Sequence, residues 1–251
     1  MTGPDDGRDV RARWDAGAAI YDARRLRSRS RWMLLLEQMM YRDALPAPRG
    51  LRILDGGCGT GALSAWLAAT HTVVGVDQSH ASLVALHGRG SPALPVQGDL
   101  ARLPLRADSV DAVVSNVVIP HVADEALQAV LTEWHRVLRP GGVLIFTVFN
   151  WHDVQHFKAF PAAVGRFPSG VQYRTYTVDQ CRALVAPSPF ADVRVRGLGG
   201  VYSFAQPRRG LHRLSRLLGW ITVPVEHLAQ TKLGWFNRRG MYLVVTARKA
   251  G

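Results

Sequence analysis

Apolar residues along this chain repeat at two different periods, and the changes between them mark out the elements. Val10 to about Tyr21 is a short helical pattern, with Trp14, Ala18 and Tyr21 at spacings of three and four. A longer helix is predicted from about Arg24 to Tyr41, with Leu26, Met33, Leu36 and Met40 on its apolar face and Pro46 and Pro48 ending it. The period then shortens. Leu51-Arg52-Ile53-Leu54 predicts a strand that runs into glycines, and a helix follows from Leu63 to about Ala69. Thr72 to Val76 predicts a second strand and Ala81 to Leu86 its return helix. Further strands are expected at Ala93 to Val96, Val110 to Val114 and Val143 to Phe149, with a helix from Ala126 to Leu138. Strands apolar on both faces and separated by helices require a mostly parallel sheet covered on both sides, so the fold class is α/β.

Beyond Asn150 the pattern loosens. His152 to Phe160 reads as a helix, Pro161 to Gly170 as a loop and Thr177 to Val185 as a helix. Phe190 to Val195 and Met241 to Thr246 read as late strands. Between them Leu211, Leu214, Leu217 and Leu218 lie at helical spacing in a basic stretch that either packs on the core or faces a substrate or partner. One domain over residues 1–251 accommodates these elements, with residues 1–48 as a helical lid and 150–240 as insertions that build a pocket.

The turn after the first strand carries the chemistry. Asp55-Gly56-Gly57-Cys58-Gly59-Thr60-Gly61 brings backbone to where side chains would collide with a ligand, at the N-terminus of a helix. A phosphate-cradling loop needs lysine and then serine or threonine after the last glycine, and Ala62-Leu63 stand there instead. A dinucleotide fingerprint places its third glycine one position later than Gly61. Asp55 would repel a pyrophosphate but could orient a cationic or amine-bearing ligand.

Together with Gly75-Val76-Asp77-Gln78-Ser79, Gln97-Gly98-Asp99-Leu100, Leu103-Pro104-Leu105, Asp111-Ala112-Val113-Val114-Ser115-Asn116 and Leu138-Arg139-Pro140-Gly141-Gly142, this turn resembles the class I S-adenosylmethionine-dependent methyltransferases. It is close to the branch that includes ubiquinone, menaquinone and many natural-product methyltransferases. The resemblance covers residues 50–150 strongly and the rest weakly. It implies a Rossmann-like, seven-stranded, mostly parallel sheet with helices on both faces, and S-adenosyl-L-methionine as cofactor. On that reading Asp55 would hold the amino-acid end of the cofactor, and Gly56, Gly57 and Gly59 would bring backbone close to it. Asp77, with Gln78 beside it, would accept both ribose hydroxyls, because an ionised carboxylate is an acceptor with several lone pairs. Asp99 would take the adenine amine and the Leu100 backbone the ring edge. Ser115 and Asn116 would line the methionine portion.

Catalysis by methyl transfer needs chiefly in-line proximity in a dry pocket, and a base only where the acceptor must lose a proton. His121 is the candidate base; its alternative is a loop histidine that caps Asp124 or its neighbours. Tyr21 is expected to cover the cofactor and Arg24 or Arg25 to grip an anionic acceptor. His152, Tyr173 and Arg174 are candidate acceptor contacts, although the Tyr173-Arg174-Tyr176 cluster could equally be a surface strand. Trp14 and Trp32 read as anchors of the N-terminal helices. His152 and His156 share a helical spacing but lack a third ligand, so no metal is expected.

Charge and cysteine content refine this picture. The net charge is +12, with 31 basic residues. From Gly50 to Asn150 six arginines face eight acids, whereas residues 206–240 carry seven basic residues against Glu226 alone. The excess therefore lies outside the cofactor core, where substrates or partners would be met. Two cysteines set no disulfide framework and no thiolate zinc site. No run approaches the length of a spanning helix, and the first thirty residues lack the form of a secretory signal, so a cytoplasmic location is expected. The expected acceptor is a small or medium organic molecule methylated on oxygen, nitrogen or activated carbon; RNA, a peptide, or a non-catalytic scaffold role are the alternatives. The chain is expected to act as a monomer or homodimer.

Overall fold

Strand residues that alternate in direction sort themselves onto two faces, and the structure shows where each face is buried. The computed structural model describes residues 10–18, 28–152, 162–167, 169–199, 225–226, 228 and 240–251. Its parallel strands are β1 (Arg52–Gly56), β2 (Thr72–Asp77), β3 (Leu94–Gln97), β4 (Val110–Asn116) and β5 (Leu138–Asn150), in the order β3-β2-β1-β4-β5. On β1, Ile53 joins one apolar cluster and Leu54 the other. On β5, Val143 and Ile145 face the first cluster, and Leu144, Phe146 and Val148 the second.

Each cluster is closed by helices. The first takes Leu36, Met40 and Tyr41 from α2 (Ser28–Ala44), Leu63 and Leu67 from α3 (Ala62–Leu67), and Leu83 and Leu86 from α4 (His80–Gly88). The second takes Leu127, Val130, Leu131, Trp134 and Val137 from α5 (Asp124–Val137), and Val178, Cys181 and Val185 from α6 (Val178–Val185). The spacing along α5 is the 3–4 repeat of a single buried stripe. Asp124 and Glu125 begin α5 while His135 and Arg136 end it, which complements the helix dipole. A full capping box at Thr177 and Gln180 starts α6.

The sheet is completed by β9 (Tyr242–Lys249), antiparallel to β5, and β8 (Phe190–Leu198), antiparallel to β9. These seven strands match the expected sheet, but the total is nine. The added pair is β6 (Val164–Arg166) and β7 (Gln172–Tyr176), an antiparallel hairpin drawn from a stretch read as a loop and from the ambiguous tyrosine cluster. Its cause is local alternation: Val171, Tyr173 and Thr175 point inward between half-buried Gln172 and Arg174. β7 then pairs in parallel with Phe149 and Asn150, beyond the last partner of β4 at Thr147. A second difference is the start of β5 at Leu138, where α5 was expected to end; the pairing jumps from Val110↔Leu138 to Ala112↔Val143, so residues 139–142 lie out of register.

The N-terminal region divides in two. The C-terminal half of α2 is part of the core layer, while α1 (residues 10–18) lies against the carboxyl ends of the strands, as its contacts below show. The predicted helix at His152 to Phe160 is placed only at residues 151–152, and the basic stretch from 210 to 234 only at 225–226 and 228; the remainder lies outside the described residues.

Gly61 begins α3 with φ of 79°, and a Cβ there would lie 2.2 Å from Leu86 Cδ1. Gly88, the last residue of α4, has no neighbouring heavy atom within 4 Å of such a Cβ. Urea unfolding should therefore show Gly61→Ala to destabilise by about 2–4 kcal/mol, from left-handed strain plus overpacking. Gly88→Ala should stabilise by about 0.5–1 kcal/mol.

Candidate active site

The order β3-β2-β1-β4 reverses direction between β1 and β4, and in open α/β sheets such a switch point places the ligand crevice beyond the carboxyl ends of the strands. Asp55 and Gly56 end β1, Asp77 ends β2, Asp99 follows β3 and Asn116 ends β4. The glycine turn folds back on β2: the N–H groups of Gly57 and Cys58 donate to the Val76 carbonyl at 2.8 and 3.2 Å. Gly57 has φ of 74°, and a Cβ there would sit 2.3 Å from Val118 Cγ2, so only glycine lets the turn lie against the segment after β4. At Gly59 a Cβ would meet nothing within 4 Å, which leaves the backbone open on that side.

Asp77 binds this turn to the next helix. Its Oδ2 accepts the Gly59 N–H at 2.8 Å and its Oδ1 the Ser79 N–H at 2.9 Å. Burial pushes its carboxyl above the ordinary carboxylate range, against these hydrogen bonds. The two oxygens offer about four lone-pair directions, so capacity remains beyond these donors and the Gln78 N–H. Asp55 is 1% exposed and accepts the Ser64 hydroxyl at 2.6 Å. Burial, followed by the charges of Asp55 and Asp77, pushes the Cys58 thiol far up, so this cysteine is a packed apolar group and no nucleophile. Two carboxylates beside an open glycine backbone suit a ligand that carries hydroxyls and positive charge, which fits S-adenosylmethionine.

The other expected cofactor contacts are placed unequally. Gln78 and Asp99 are exposed at the rim; the Gln78 carbonyl accepts Gln97 Nε2 at 3.0 Å, and Asp99 Oδ1 accepts the Ala101 N–H at 2.9 Å. Leu100 is half-buried, with its Cδ2 3.6 Å from the position of a Cβ on Gly56. Ser115 is fully buried and donates to the Gly56 carbonyl at 2.7 Å, so its hydroxyl joins β4 to β1 beneath the crevice. Asn116 is held from two sides. Its Oδ1 accepts the Thr147 hydroxyl at 2.6 Å, and its Nδ2 donates to Glu37 on α2 at 3.2 Å.

The chain then turns sharply. Val117 has φ of 56°, a strained conformation for a β-branched residue, and its N–H donates to Thr147 Oγ1 at 2.9 Å. This turn aims Val118 at Gly57 and starts the 3₁₀ turn Ile119–His121. His121 Nδ1 lies 2.7 Å from the Gln172 carbonyl, a contact that requires the proton on Nδ1 and leaves Nε2 as the acceptor. Burial holds the imidazole below its ordinary pKa, and hence neutral, despite that hydrogen bond. Trp14 stands edge-on to the ring at 5.1 Å between centroids, and Phe149 and Phe167 lie at 6.0 Å. His121 therefore sits in an aromatic enclosure at the same edge as the glycine turn.

Two expected acceptor contacts are engaged elsewhere and a third is exposed. Tyr173 is 2% exposed and stacks on Phe167 at 4.9 Å behind the enclosure. Arg174 Nη2 pairs with Asp124 Oδ2 at 2.5 Å, which fixes the hairpin to α5. His152 is exposed just after β5. Tyr21, Arg24 and Arg25 lie outside the described residues, as does His156. Sequence reasoning passed over Asp15, Glu37, Thr147, Phe149 and Phe167, and read Trp14 as an anchor only. Asp15 accepts the Ser79 hydroxyl at 2.6 Å and the Ala81 N–H at 3.1 Å. No signal in the chain near Asp15 pairs it with a serine 64 positions away.

Comparison with known proteins agrees with this geometry. The family described as "Methyltransferase domain" matches residues 54–146. A malonyl-[acyl-carrier protein] O-methyltransferase of Pectobacterium atrosepticum is 36% identical over 103 residues, 41% of this chain and 40% of that one. This match thus spans less than half the length of that relative. The enzyme of the same description from Geobacter sulfurreducens is 32% identical over 200 residues, 76% of this chain and 73% of that one. Among solved structures, an S-adenosylmethionine-dependent methyltransferase from Mesorhizobium loti has a TM-score of 0.58 at 24% identity, covering 85% of this chain and 97% of that one. The 1,6-didemethyltoxoflavin-N1-methyltransferase of Burkholderia thailandensis, solved with S-adenosylhomocysteine, has a TM-score of 0.61 at 19% identity over 100% of this chain and 92% of that one. The two structures share the fold; the sequence relatives, the glycine turn and the strand-end carboxylates carry the stronger conclusion, that this chain belongs to the class I S-adenosylmethionine-dependent methyltransferases.

Proposed function

We propose that the protein methylates an O–H or N–H group of a small or medium organic molecule, with His121 as the base. The observation that carries this is the tautomer imposed on His121: Nδ1 is committed to the Gln172 carbonyl, and Nε2 is left as a neutral acceptor among Trp14, Phe149 and Phe167. S-adenosylmethionine, when bound, supplies a methyl group on a positively charged sulfur. Asp77 would receive the ribose hydroxyls on its remaining lone pairs, Asp55 would face the amino-acid end, and Gly57 and Gly59 would allow backbone to approach. Asn116, pinned by Thr147 and Glu37, keeps the floor between the two halves of the crevice rigid. The proton given up by the acceptor passes to His121 Nε2, and the aromatic rings keep water away from the reacting group.

A second reading, suggested by the activity of the malonyl-[acyl-carrier protein] O-methyltransferase relatives, is a carboxylate acceptor delivered on a carrier protein. The net charge of +12 would favour such an encounter. A carboxylate is already ionised at neutral pH and needs no base, so the two readings differ at His121.

Incubation with methyl-labelled S-adenosylmethionine and a cell extract, followed by separation of small molecules, protein and RNA, tests the proposal. Label is expected among small molecules; label in the protein or RNA fraction would replace this reading, and label nowhere would remove the enzymatic one. His121→Gln should lower turnover about 100-fold or more, far beyond any change in cofactor affinity. An unchanged turnover would indicate the carboxylate acceptor. Asp77→Ala should weaken calorimetric binding of S-adenosylhomocysteine by about 1–3 kcal/mol, through loss of hydrogen bonds to a charged acceptor.

A pH prediction follows from burial. His71, His121 and His135 all have pKa values held below 6.5 by burial. Above that pH both folded and unfolded histidines are neutral and stability is complete; as pH falls below it the unfolded chain takes protons first, and stability declines. Asp77, with its raised pKa, acts in the opposite sense at lower pH. Urea unfolding of His121→Gln should therefore fall less steeply between about pH 7 and pH 5 than that of the parent protein.

A further inference from the structure

The helix α1 touches both halves of the crevice through adjacent residues. Asp15 accepts the Ser79 hydroxyl and the Ala81 N–H at the start of α4, while the N–H of the same Ser79 donates to Asp77. Trp14, one residue earlier, stands edge-on to His121. Arg13 donates to the Gly170 carbonyl at 3.1 Å, in the turn of the β6–β7 hairpin whose Gln172 holds the His121 tautomer. Ala18 is the one residue of α1 buried in the core among those described. The helix is thus held mainly by contacts to the two walls of the crevice and only slightly by apolar burial.

We propose that Trp14 and Asp15 are positioning residues that couple the cofactor site at Asp77 to the acceptor base at His121. This rests on the methyl-transfer reading above. Asp15 acts through Ser79: it fixes the hydroxyl of the residue whose backbone completes the Asp77 carboxylate. Trp14 acts through His121, by closing one side of its ring. Because a single peptide unit joins them, α1 cannot leave one wall without loosening its hold on the other. Ligand that orders Asp77 and Ser79 therefore orders Trp14 and His121, and the converse holds by reciprocity. The coupling favours assembly of the acceptor pocket when cofactor is in place, and limits exposure of a reactive sulfonium before the pocket has closed.

The test measures a cofactor-side property after a change on the acceptor side. Calorimetry with S-adenosylhomocysteine should show Trp14→Ala to bind about 5-fold more weakly or worse, although Trp14 stands against His121 and not against Asp77. Trp14→Phe, which keeps a ring at that place, should restore most of the affinity. In the parent protein, saturating S-adenosylhomocysteine should shift the His121 imidazole resonances, and Asp15→Ala should reduce that shift at saturation to the part due to the ligand's own proximity. The resonance experiment decides the matter if Trp14→Ala does not fold, as judged by circular dichroism. Equal affinity of Trp14→Ala and parent protein, or His121 resonances that ignore S-adenosylhomocysteine, would overturn the coupling while leaving methyl transfer in place. Failure of the parent protein to bind S-adenosylhomocysteine at all would instead overturn the methyl-transfer reading, and the coupling with it.

Discussion

One half-buried carboxylate holds the functional edge of this protein together. Asp77 takes a backbone N–H from the glycine turn and another from the start of α4, so β1, β2 and α4 meet at a single acid. Without it, two donors at the crevice would lose a charged acceptor, and the turn would lose the contact that fixes Gly59. Desolvation opposes this arrangement, as the raised pKa of Asp77 records. The same opposition leaves a charged acceptor poised at the crevice, where hydroxyls of a ligand can satisfy it further.

The opposite edge of the sheet is built differently. Asp111, at the start of β4, accepts the Arg52 N–H at 2.7 Å and pairs with the guanidinium groups of Arg52 and Arg139, each at 3.0 Å. The side-chain hydrogen bond from Arg52 comes first among the causes that hold its carboxyl below the usual range. Lys249 closes this edge on Asp108 at 2.7 Å. Thus acids at the amino ends of the strands are neutralised by arginine and lysine, whereas Asp55 and Asp77 at the carboxyl ends are held by hydroxyl and backbone donors. A ligand that carries hydroxyls or positive charge would meet the Asp77 carboxylate at the second edge, which agrees with the position of the glycine turn.

Much of this was legible in the sequence because it is local. The seven strands of the main sheet follow from apolar runs, and the turn from Asp55 to Gly61 from glycines whose positions match the close approaches of Val118 and Leu86. The β6–β7 hairpin was harder to read, since short strands that carry arginines look like loops until β7 is seen beside Phe149. Asp15, Glu37 and Thr147 could not have been singled out: each works through a partner between 31 and 79 positions away, and neither spacing nor residue type announces the pairing. Ser115 shows the converse limit. Its motif pointed to the ligand, but its hydroxyl faces the Gly56 carbonyl because β4 and β1 are neighbours there.

These features describe a crevice with two functional walls, one of carboxylates and glycine backbone and one of aromatic rings around a neutral imidazole. The most direct test of that account is a crystal structure of the protein with S-adenosylhomocysteine. The account predicts electron density for the ribose hydroxyls on the Asp77 carboxylate, the amino-acid end near Asp55 and the sulfur facing the His121 enclosure. A ligand bound away from Asp77, or with its sulfur turned away from His121, would contradict it.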